Sequence, residues 1–145
     1  MQTVEDWTCK LLQGNKRMIK QRIFFILLFL IPVVTYAEWT KIGKTSEGDT
    51  FYIDFKTIKK NNGYVYYWKM TDYLKPSKFG DMSSKMYEQA ECSYPRYKFL
   101  SGIFYNESMG KGTGDSSIPK DQNWIYPPPE SIGVEVIKTV CDYAK

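Results

Sequence analysis

The 145-residue chain contains no histidine, and this absence excludes several kinds of active site. Serine and cysteine nucleophiles that rely on a histidine base cannot form. A zinc site would also lose its usual nitrogen ligand. Carboxylates could still pair to hydrolyse a glycoside, and Asp54, Asp72, Glu88 and Glu91 are available, but most chains of this size carry such residues without a catalytic role. We therefore expect no enzymatic activity, no metal site and no cofactor.

Long hydrophobic runs are also scarce, and the most prominent one lies near the start of the chain. Segment 18–37 has a positively charged front, a short apolar stretch at 23–34 and small residues at Thr35 and Ala37. This order is typical of a secretory signal peptide that is cleaved after Ala37. The apolar stretch is shorter than the roughly 20 residues of a membrane-spanning helix, which favours removal over anchoring. If the segment is cleaved, we expect the protein to contact the membrane only through it and only before cleavage. The alternative is an uncleaved anchor that holds the domain at the membrane.

Residues 1–17 precede this signal and show no clear apolar period. Because a well-formed signal begins at Met18, we interpret 1–17 either as the result of a start codon set too early or as an extended front of the same signal. The sequence leaves open whether Met1 or Met18 is the true start. Residues 38–145 are then the exported domain, in the periplasm, at the cell surface or secreted, and their length suits a single domain.

A strong excess of one charge is missing as well. Five basic and two acidic residues precede Glu38, which leaves 15 basic and 14 acidic residues in 38–145. Domains that bind nucleic acid usually carry a clear basic excess. The near-neutral balance therefore predicts no nucleic-acid partner.

Cysteine is rare: the chain has three, and only two follow the predicted signal. Cys92 and Cys141 are an even pair in an exported chain, where oxidation to a disulfide is more common than two free thiols. The alternative, a metal site, lacks the four ligands that zinc requires. We expect a disulfide between these two residues.

The domain is rich in short aromatic and β-branched runs that Gly, Asp, Asn and Pro separate. This pattern is typical of strands joined by turns. Strands are predicted at 39–44, 50–54, 63–74, 84–92, 95–105 and, as a short edge strand, 124–126. A single helical turn is predicted at 56–60 and a long loop at 106–123. In the strand at 95–105, the alternating residues are Tyr97, Phe99, Ile103 and Tyr105, which predicts that they share one face.

After the prolines at 127–129, the apolar residues recur at intervals of three and four instead of two, which is the spacing of a helix. One apolar stripe of a helix is formed by Val134, Ile137, Val140, Cys141 and Ala144. Ser131 or Glu130 is predicted to accept hydrogen bonds from its first amides. The expected fold is therefore α+β: an antiparallel sheet of about five to six strands, with a C-terminal helix packed on one face and pinned there by the disulfide.

Two groups of residues are candidates for binding a partner. The first group lies between positions 75 and 98 and contains four lysines and one tyrosine. Its members are Lys75, Lys78, Lys85, Tyr87 and Lys98. The second is the ring set Tyr64, Tyr66 and Trp68, which could hold a small ligand or a glycan. Each has a structural alternative, because lysines near sheet edges block aggregation and aromatic residues favour strands.

Several segments together resemble the bacterial surface-adhesin protein E family. They are Phe51-Tyr-Ile-Asp54, the strand that ends at Cys92, Phe104-Tyr-Asn-Glu-Ser-Met-Gly-Lys-Gly112 and Val140-Cys-Asp-Tyr143. The resemblance implies an antiparallel sheet, a packed C-terminal helix and a disulfide at the positions of Cys92 and Cys141. It also implies a noncatalytic protein that binds host matrix or serum proteins such as vitronectin or laminin.

One feature of the surface-displayed adhesin is missing: Glu38, and not a lipid-attachment cysteine, follows the predicted signal. The alternatives to an adhesin are therefore a periplasmic domain that binds a small ligand or a glycan, and a structural protein of the cell envelope. The sequence does not decide whether the domain forms a homodimer.

Overall fold

The computed structural model describes residues 38–145. In this part of the chain, seven strands form one antiparallel sheet and one α-helix follows it. The strands are β1 (Trp39–Lys44), β2 (Thr50–Asp54), β3 (Lys59–Asn61), β4 (Tyr64–Asp72), β5 (Ser83–Glu91), β6 (Arg96–Tyr105) and β7 (Gly114–Ser117); the helix is α1 (Ile132–Tyr143). The expected fold class is confirmed.

The sheet is ordered β1-β2-β4-β5-β6-β7, and the short β3 pairs with β4 beside β2. β4 and β5 form its centre, where they are paired along their full length from Tyr64 opposite Glu91 to Asp72 opposite Ser83. β1 and β7 are the outer strands. Because neighbouring long strands are joined by hairpins, most of the sheet follows the order of the sequence.

The helix packs on one face of the sheet, and the core lies between them. Its buried residues are Ile53, Val65, Tyr67, Ala90, Val136, Ile137 and Val140. Strand alternation directs Val65 and Tyr67 towards the helix and their neighbours Tyr66 and Trp68 the opposite way. We call the first side the helix face and the side that carries Tyr66 and Trp68 the open face.

The disulfide is present. Cys92 follows β5 directly, Cys141 lies in the last turns of α1, and their Cα atoms are 5.7 Å apart. The bond therefore ties the C-terminal end of the helix to the end of a central strand, as the sequence predicted.

The predicted alternation in β6 is wrong. A bulge interrupts the pairing with β5, since Tyr87 lies opposite Ser101 and Glu88 opposite Phe99, which leaves Leu100 as an extra residue. An extra residue reverses the faces beyond it. Consequently, Phe99 and Tyr97 lie on the helix face, whereas Ile103 and Tyr105 lie on the open face.

The predictions for three segments between or beyond the long strands need correction. The helical turn is a 3-10 turn at Phe55–Thr57 and is followed by β3, so the helical prediction for 56–60 holds only in its first part. The predicted loop at 106–123 contains a 3-10 turn, Ser108–Gly110, and the fully exposed strand β7. The predicted edge strand at 124–126 is reduced to one bridge, between Ile125 and Tyr97.

The predicted side-chain cap of the helix is also wrong. Ser131 occupies the N-cap position, but its hydroxyl makes no capping hydrogen bond. Instead, its backbone carbonyl accepts from the amides of Val134 at 3.0 Å and Glu135 at 3.3 Å.

Within residues 38–145, no helix has both the length and the apolar character needed to cross a bilayer. The predictions for 1–17 and for the signal at 18–37 concern residues outside the described range.

Candidate binding surface

The centre of the open face carries three neighbouring aromatic rings. Tyr66 and Trp68 belong to β4, and Tyr87 of β5 is paired with Trp68. The ring centroid of Tyr87 lies 5.3 Å from that of Trp68 and 6.3 Å from that of Tyr66. All three residues are half-buried. We call them the ring row.

A second aromatic pair, with two cations, lies on the same face. The ring of Tyr64 stacks on that of Trp124 at a centroid distance of 5.8 Å. The guanidinium carbon of Arg96 lies 4.3 Å from the Trp124 ring centroid, and the Nζ atom of Lys98 lies 4.9 Å from it. Arg96 is paired with Glu91 at 2.6 Å, whereas Lys98 has no ion pair with another described residue. Cation–π contacts thus hold both cations against an aromatic surface.

Lys85 is the most constrained lysine of the open face. Its Nζ atom lies 4.8 Å from the Tyr105 ring centroid and 5.7 Å from that of Trp39, and it donates to the carbonyl of Gly110 at 3.5 Å. Gly110 also donates its amide to the hydroxyl of Ser83 at 2.9 Å. Lys85 therefore helps to hold the turn at Ser108–Gly110 against the sheet.

The structure brings three residues of the first candidate group next to the ring candidates of the second. Lys85, Tyr87 and Lys98 lie on the open face, and Tyr87 packs against both Tyr66 and Trp68. These three candidates and the ring candidates are therefore parts of one surface.

Lys75 and Lys78 are exposed in the loop beyond the end of β4, and not in the ring row. The Nζ atom of Lys78 lies 4.9 Å from the ring centroid of Phe79, which is 81% exposed. This loop is a separate exposed patch at one end of the sheet.

The helix face contains a buried charged group that sequence reasoning missed. The Nζ atom of Lys69 lies 2.5 Å from Oε1 of Glu88, and the hydroxyl of Tyr67 donates to Oε2 of Glu88 at 2.7 Å. Lys69 is 9% exposed and Glu88 is 1% exposed. The signal in the sequence was the alternation itself, because residues 65, 67 and 69 share a face and the third of them is charged.

Three aromatic rings lie around the ammonium group of this ion pair. The Nζ atom of Lys69 lies 5.3 Å, 5.2 Å and 5.5 Å from the ring centroids of Phe51, Tyr97 and Phe99. Burial, followed by the nearby charge of Glu88, raises the pKa of Tyr97 to about 12. The same two causes, in the same order, raise the pKa of Tyr67 well above its usual value. Both phenols stay protonated at neutral pH, so Tyr67 remains a hydrogen-bond donor to the carboxylate.

The four acidic residues considered for catalysis have separate partners. Glu88 and Glu91 form the ion pairs described above, Asp54 accepts from the amide of Lys56 at 3.1 Å, and Asp72 accepts from the amide of Met109 at 2.7 Å. Among residues 38–145, no group of three or more acidic or cysteine side chains is arranged to hold a metal ion.

Comparison with known proteins identifies one family. The profile of the family described as surface-adhesin protein E matches residues 39–142. Protein E of Haemophilus influenzae in crystal form II has a TM-score of 0.54 at 19% identity, over 77% of this chain and 92% of that chain. A further structure of Haemophilus influenzae protein E has a TM-score of 0.53 at 19% identity, over 77% and 89%. Comparison with curated protein sequences gave no significant match. At this identity the likeness shows a shared fold.

Proposed function

The chain belongs to the surface-adhesin protein E family, and on that basis we propose that it is an exported, noncatalytic adhesin that binds a host extracellular-matrix or serum protein. The proposed contact surface is the open face, with the ring row at its centre and Lys98 beside it. The proposed route is export through the signal at 18–37, cleavage after Ala37, and release of the domain 38–145 to the periplasm, the cell surface or the medium.

The observation that carries this proposal is the ring row on the side of the sheet that the helix does not cover. Tyr66, Trp68 and Tyr87 are not part of the core beneath α1. Tyrosine and tryptophan are enriched at protein interfaces, because each offers a large contact area and loses little conformational entropy on binding. A surface of this composition suits the central anchors of a protein contact.

The cations next to the rings indicate that an acidic surface of a partner would fit. Lys98 has no ion pair with a described residue, and Arg96 shares its charge with Glu91. Acidic side chains of a partner would therefore find Lys98 free to pair. Complementary charge of this kind contributes more to specificity and association rate than to affinity. Vitronectin-like and laminin-like proteins are the partners that we propose to test.

Surface plasmon resonance on immobilised vitronectin and laminin tests the contact surface. We expect Tyr87→Ala combined with Lys98→Glu to weaken binding at least tenfold, because the loss of an interface anchor costs about 2 kcal/mol or more and about 1.4 kcal/mol is tenfold. Lys120→Glu is the matched control, since it makes the same charge change in an exposed loop residue. Lys75→Glu combined with Lys78→Glu tests the loop beyond β4 separately.

The pattern of losses decides between surfaces. Wild-type affinity in the Tyr87→Ala, Lys98→Glu variant, with a normal unfolding midpoint, contradicts the ring row as the contact surface. A loss confined to the Lys75→Glu, Lys78→Glu variant would place the contact on the loop instead. Absence of binding by the wild-type protein to both partners would contradict the proposed host ligands.

Glycan binding is a second candidate function, and the continuity of the ring row favours it. Sugars stack on flat aromatic faces, and Tyr66, Tyr87 and Trp68 offer three in succession. The same binding assay separates the two functions when the immobilised partner is enzymatically deglycosylated. Binding that survives this treatment supports protein recognition, whereas binding that disappears supports glycan recognition.

A further inference from the structure

A groove of about 610 Å³ lies beside α1, next to the disulfide. One wall is a stripe of the helix that includes Val134 and Cys141. The opposite wall includes Gly63, in the turn between β3 and β4, and Pro95, in the turn between β5 and β6. The lining is mainly apolar. Small-ligand sites typically have mainly apolar walls and volumes of about 300–1,000 Å³, so this groove has the dimensions of a ligand site.

The apolar side chains of the groove are accessible from solvent. Val134 and Cys141 are half-buried, and Pro95 is exposed. A Cβ atom added to Gly63 would meet no heavy atom within 4 Å, so the space beside this turn is open. Val134 and Cys141 are separated by about 10 Å along the helix axis. An apolar strip of this length suits an extended alkyl chain.

Three exposed lysines also line the groove: Lys60, Lys138 and Lys145. Lys60 is paired with Val65, which belongs to the core beneath α1. Directly paired residues project on the same face, so the side chain of Lys60 lies on the helix face. Lys138 is four residues beyond Val134 and therefore lies on the same side of α1. The strand pairing and the helical period thus place cations on both walls of the groove.

One carboxylate, Asp142, also lines the groove. Lys145 pairs with it at 2.6 Å, whereas Lys60 and Lys138 have no ion pair with another described residue. The hydrogen bond from Lys145 and its charge, and then the charge of Lys138, lower the pKa of Asp142. The rim of the groove therefore favours a carboxylate, and two of its three cations are left for a second one.

We propose that this groove binds an anionic amphiphile with a single alkyl chain, such as a medium-chain fatty acid. The alkyl chain lies along the strip formed by Val134, Cys141 and Pro95, and the carboxylate lies between Lys60 and Lys138. Burial of the alkyl chain supplies the affinity through the hydrophobic effect. The exposed ammonium groups, which salt partly screens, set the choice of head group.

This site is independent of the proposed adhesin function, because the ring row lies on the other face of the sheet. The structural alternative is that Lys60 and Lys138 only keep the apolar walls soluble, as long lysine side chains do on many surfaces. The two accounts differ in one respect. A solubilising role requires no preference for the charge of a ligand's head group, whereas a site for an anionic amphiphile requires one.

Titration of the ¹⁵N-labelled protein with sodium decanoate, followed by amide NMR spectra, tests the proposal. We expect the signals of Gly63, Ser93 and Cys141 to shift and to saturate. Decyltrimethylammonium has the same alkyl chain and a cationic head, and it should bind at least about tenfold more weakly because the same lysines repel it. Lys60→Glu combined with Lys138→Glu should reverse this preference without unfolding the protein, since both side chains are exposed.

Lys111→Glu combined with Lys120→Glu is the control, because it makes the same charge change in exposed residues outside the groove. This control should keep the wild-type preference for decanoate. A Lys60→Glu, Lys138→Glu variant that also keeps the preference would overturn the proposal, because the lysines of the groove would then play no part in binding.

Three outcomes in the wild type would overturn the proposal as well. The first is the absence of saturable shifts at Gly63, Ser93 and Cys141 with decanoate. The second is equal binding of the two amphiphiles. The third is a set of saturable shifts confined to Tyr66 and Tyr87, since these would place the ligand on the open face.

Discussion

Replacing Lys69 with methionine is expected to lower the free energy of unfolding by about 3–5 kcal/mol. The substitution keeps an unbranched side chain of similar size but removes the cation that lies 2.5 Å from Glu88. The carboxyl group of Glu88, which is 1% exposed, would then be left with only the hydroxyl of Tyr67 as a hydrogen-bond partner. Urea unfolding followed by tryptophan fluorescence measures the loss.

Two further variants show whether the loss of stability in Lys69→Met is due to the burial of the ion pair. Lys56→Met breaks the ion pair with Glu38, in which the side chains are 70% and 76% exposed, and should cost far less because water already screens that pair. The variant Lys69→Met, Glu88→Met, Tyr67→Phe leaves no buried charge and no unpaired phenol, so it should recover most of the lost stability. A Lys69→Met cost as small as that of Lys56→Met would contradict this account.

Removing the disulfide is expected to have the second large effect. Cys92 and Cys141 are 49 residues apart in sequence, and loop-closure entropy gives about 4 kcal/mol for a loop of that length. We expect Cys92→Ala combined with Cys141→Ala to lower the free energy of unfolding by about 2–4 kcal/mol. Amide exchange should accelerate first in the last turns of α1, because the bond is their covalent link to the sheet.

Reduction of the Cys92–Cys141 bond in the wild-type protein tests the same effect without a mutation. Cys92 is exposed, so dithiothreitol has access to the bond. Dithiothreitol should lower the stability of the wild type to that of the double variant and leave the double variant unchanged. Equal stability and equal helix protection with and without the bond would show that the disulfide is dispensable.

Local patterns predicted most of the fold. The bounds of β1 and β2 follow directly from aromatic alternation between turn residues, and α1 follows from the apolar stripe after the prolines. The disulfide followed from two cysteines in a chain that is predicted to be exported. The strands and the helix depend on neighbours in sequence, and the two cysteines allow only one pairing although they are 49 residues apart, which is why sequence reasoning reached them.

Features that depend on pairing between strands were missed or misjudged. The bulge at Leu100 is visible only when β6 is set against β5. β7 has no hydrophobic signal, because all four of its residues are exposed and only its backbone pairs with β6. The Lys69–Glu88 ion pair likewise depends on the register of β4 with β5.

The candidate surface was also only partly predictable, because its residues were found from the sequence but their proximity depends on strand pairing. Sequence reasoning found Tyr66 and Trp68 in one group and Tyr87 and Lys98 in another, as rivals for two functions. The register that pairs Trp68 with Tyr87 makes them neighbours. A single surface therefore emerged from two partial predictions, and only the loop lysines Lys75 and Lys78 stayed outside it.

Hydroxyl-radical footprinting of the protein bound to vitronectin or laminin tests the proposed contact surface most directly, because aromatic side chains are the reporters. We expect oxidation of Tyr66, Trp68 and Tyr87 to fall on binding, while Tyr143, which is 59% exposed on the helix, reacts as in the free protein. Protection of Tyr143 or Phe79 with an unchanged ring row would contradict the account.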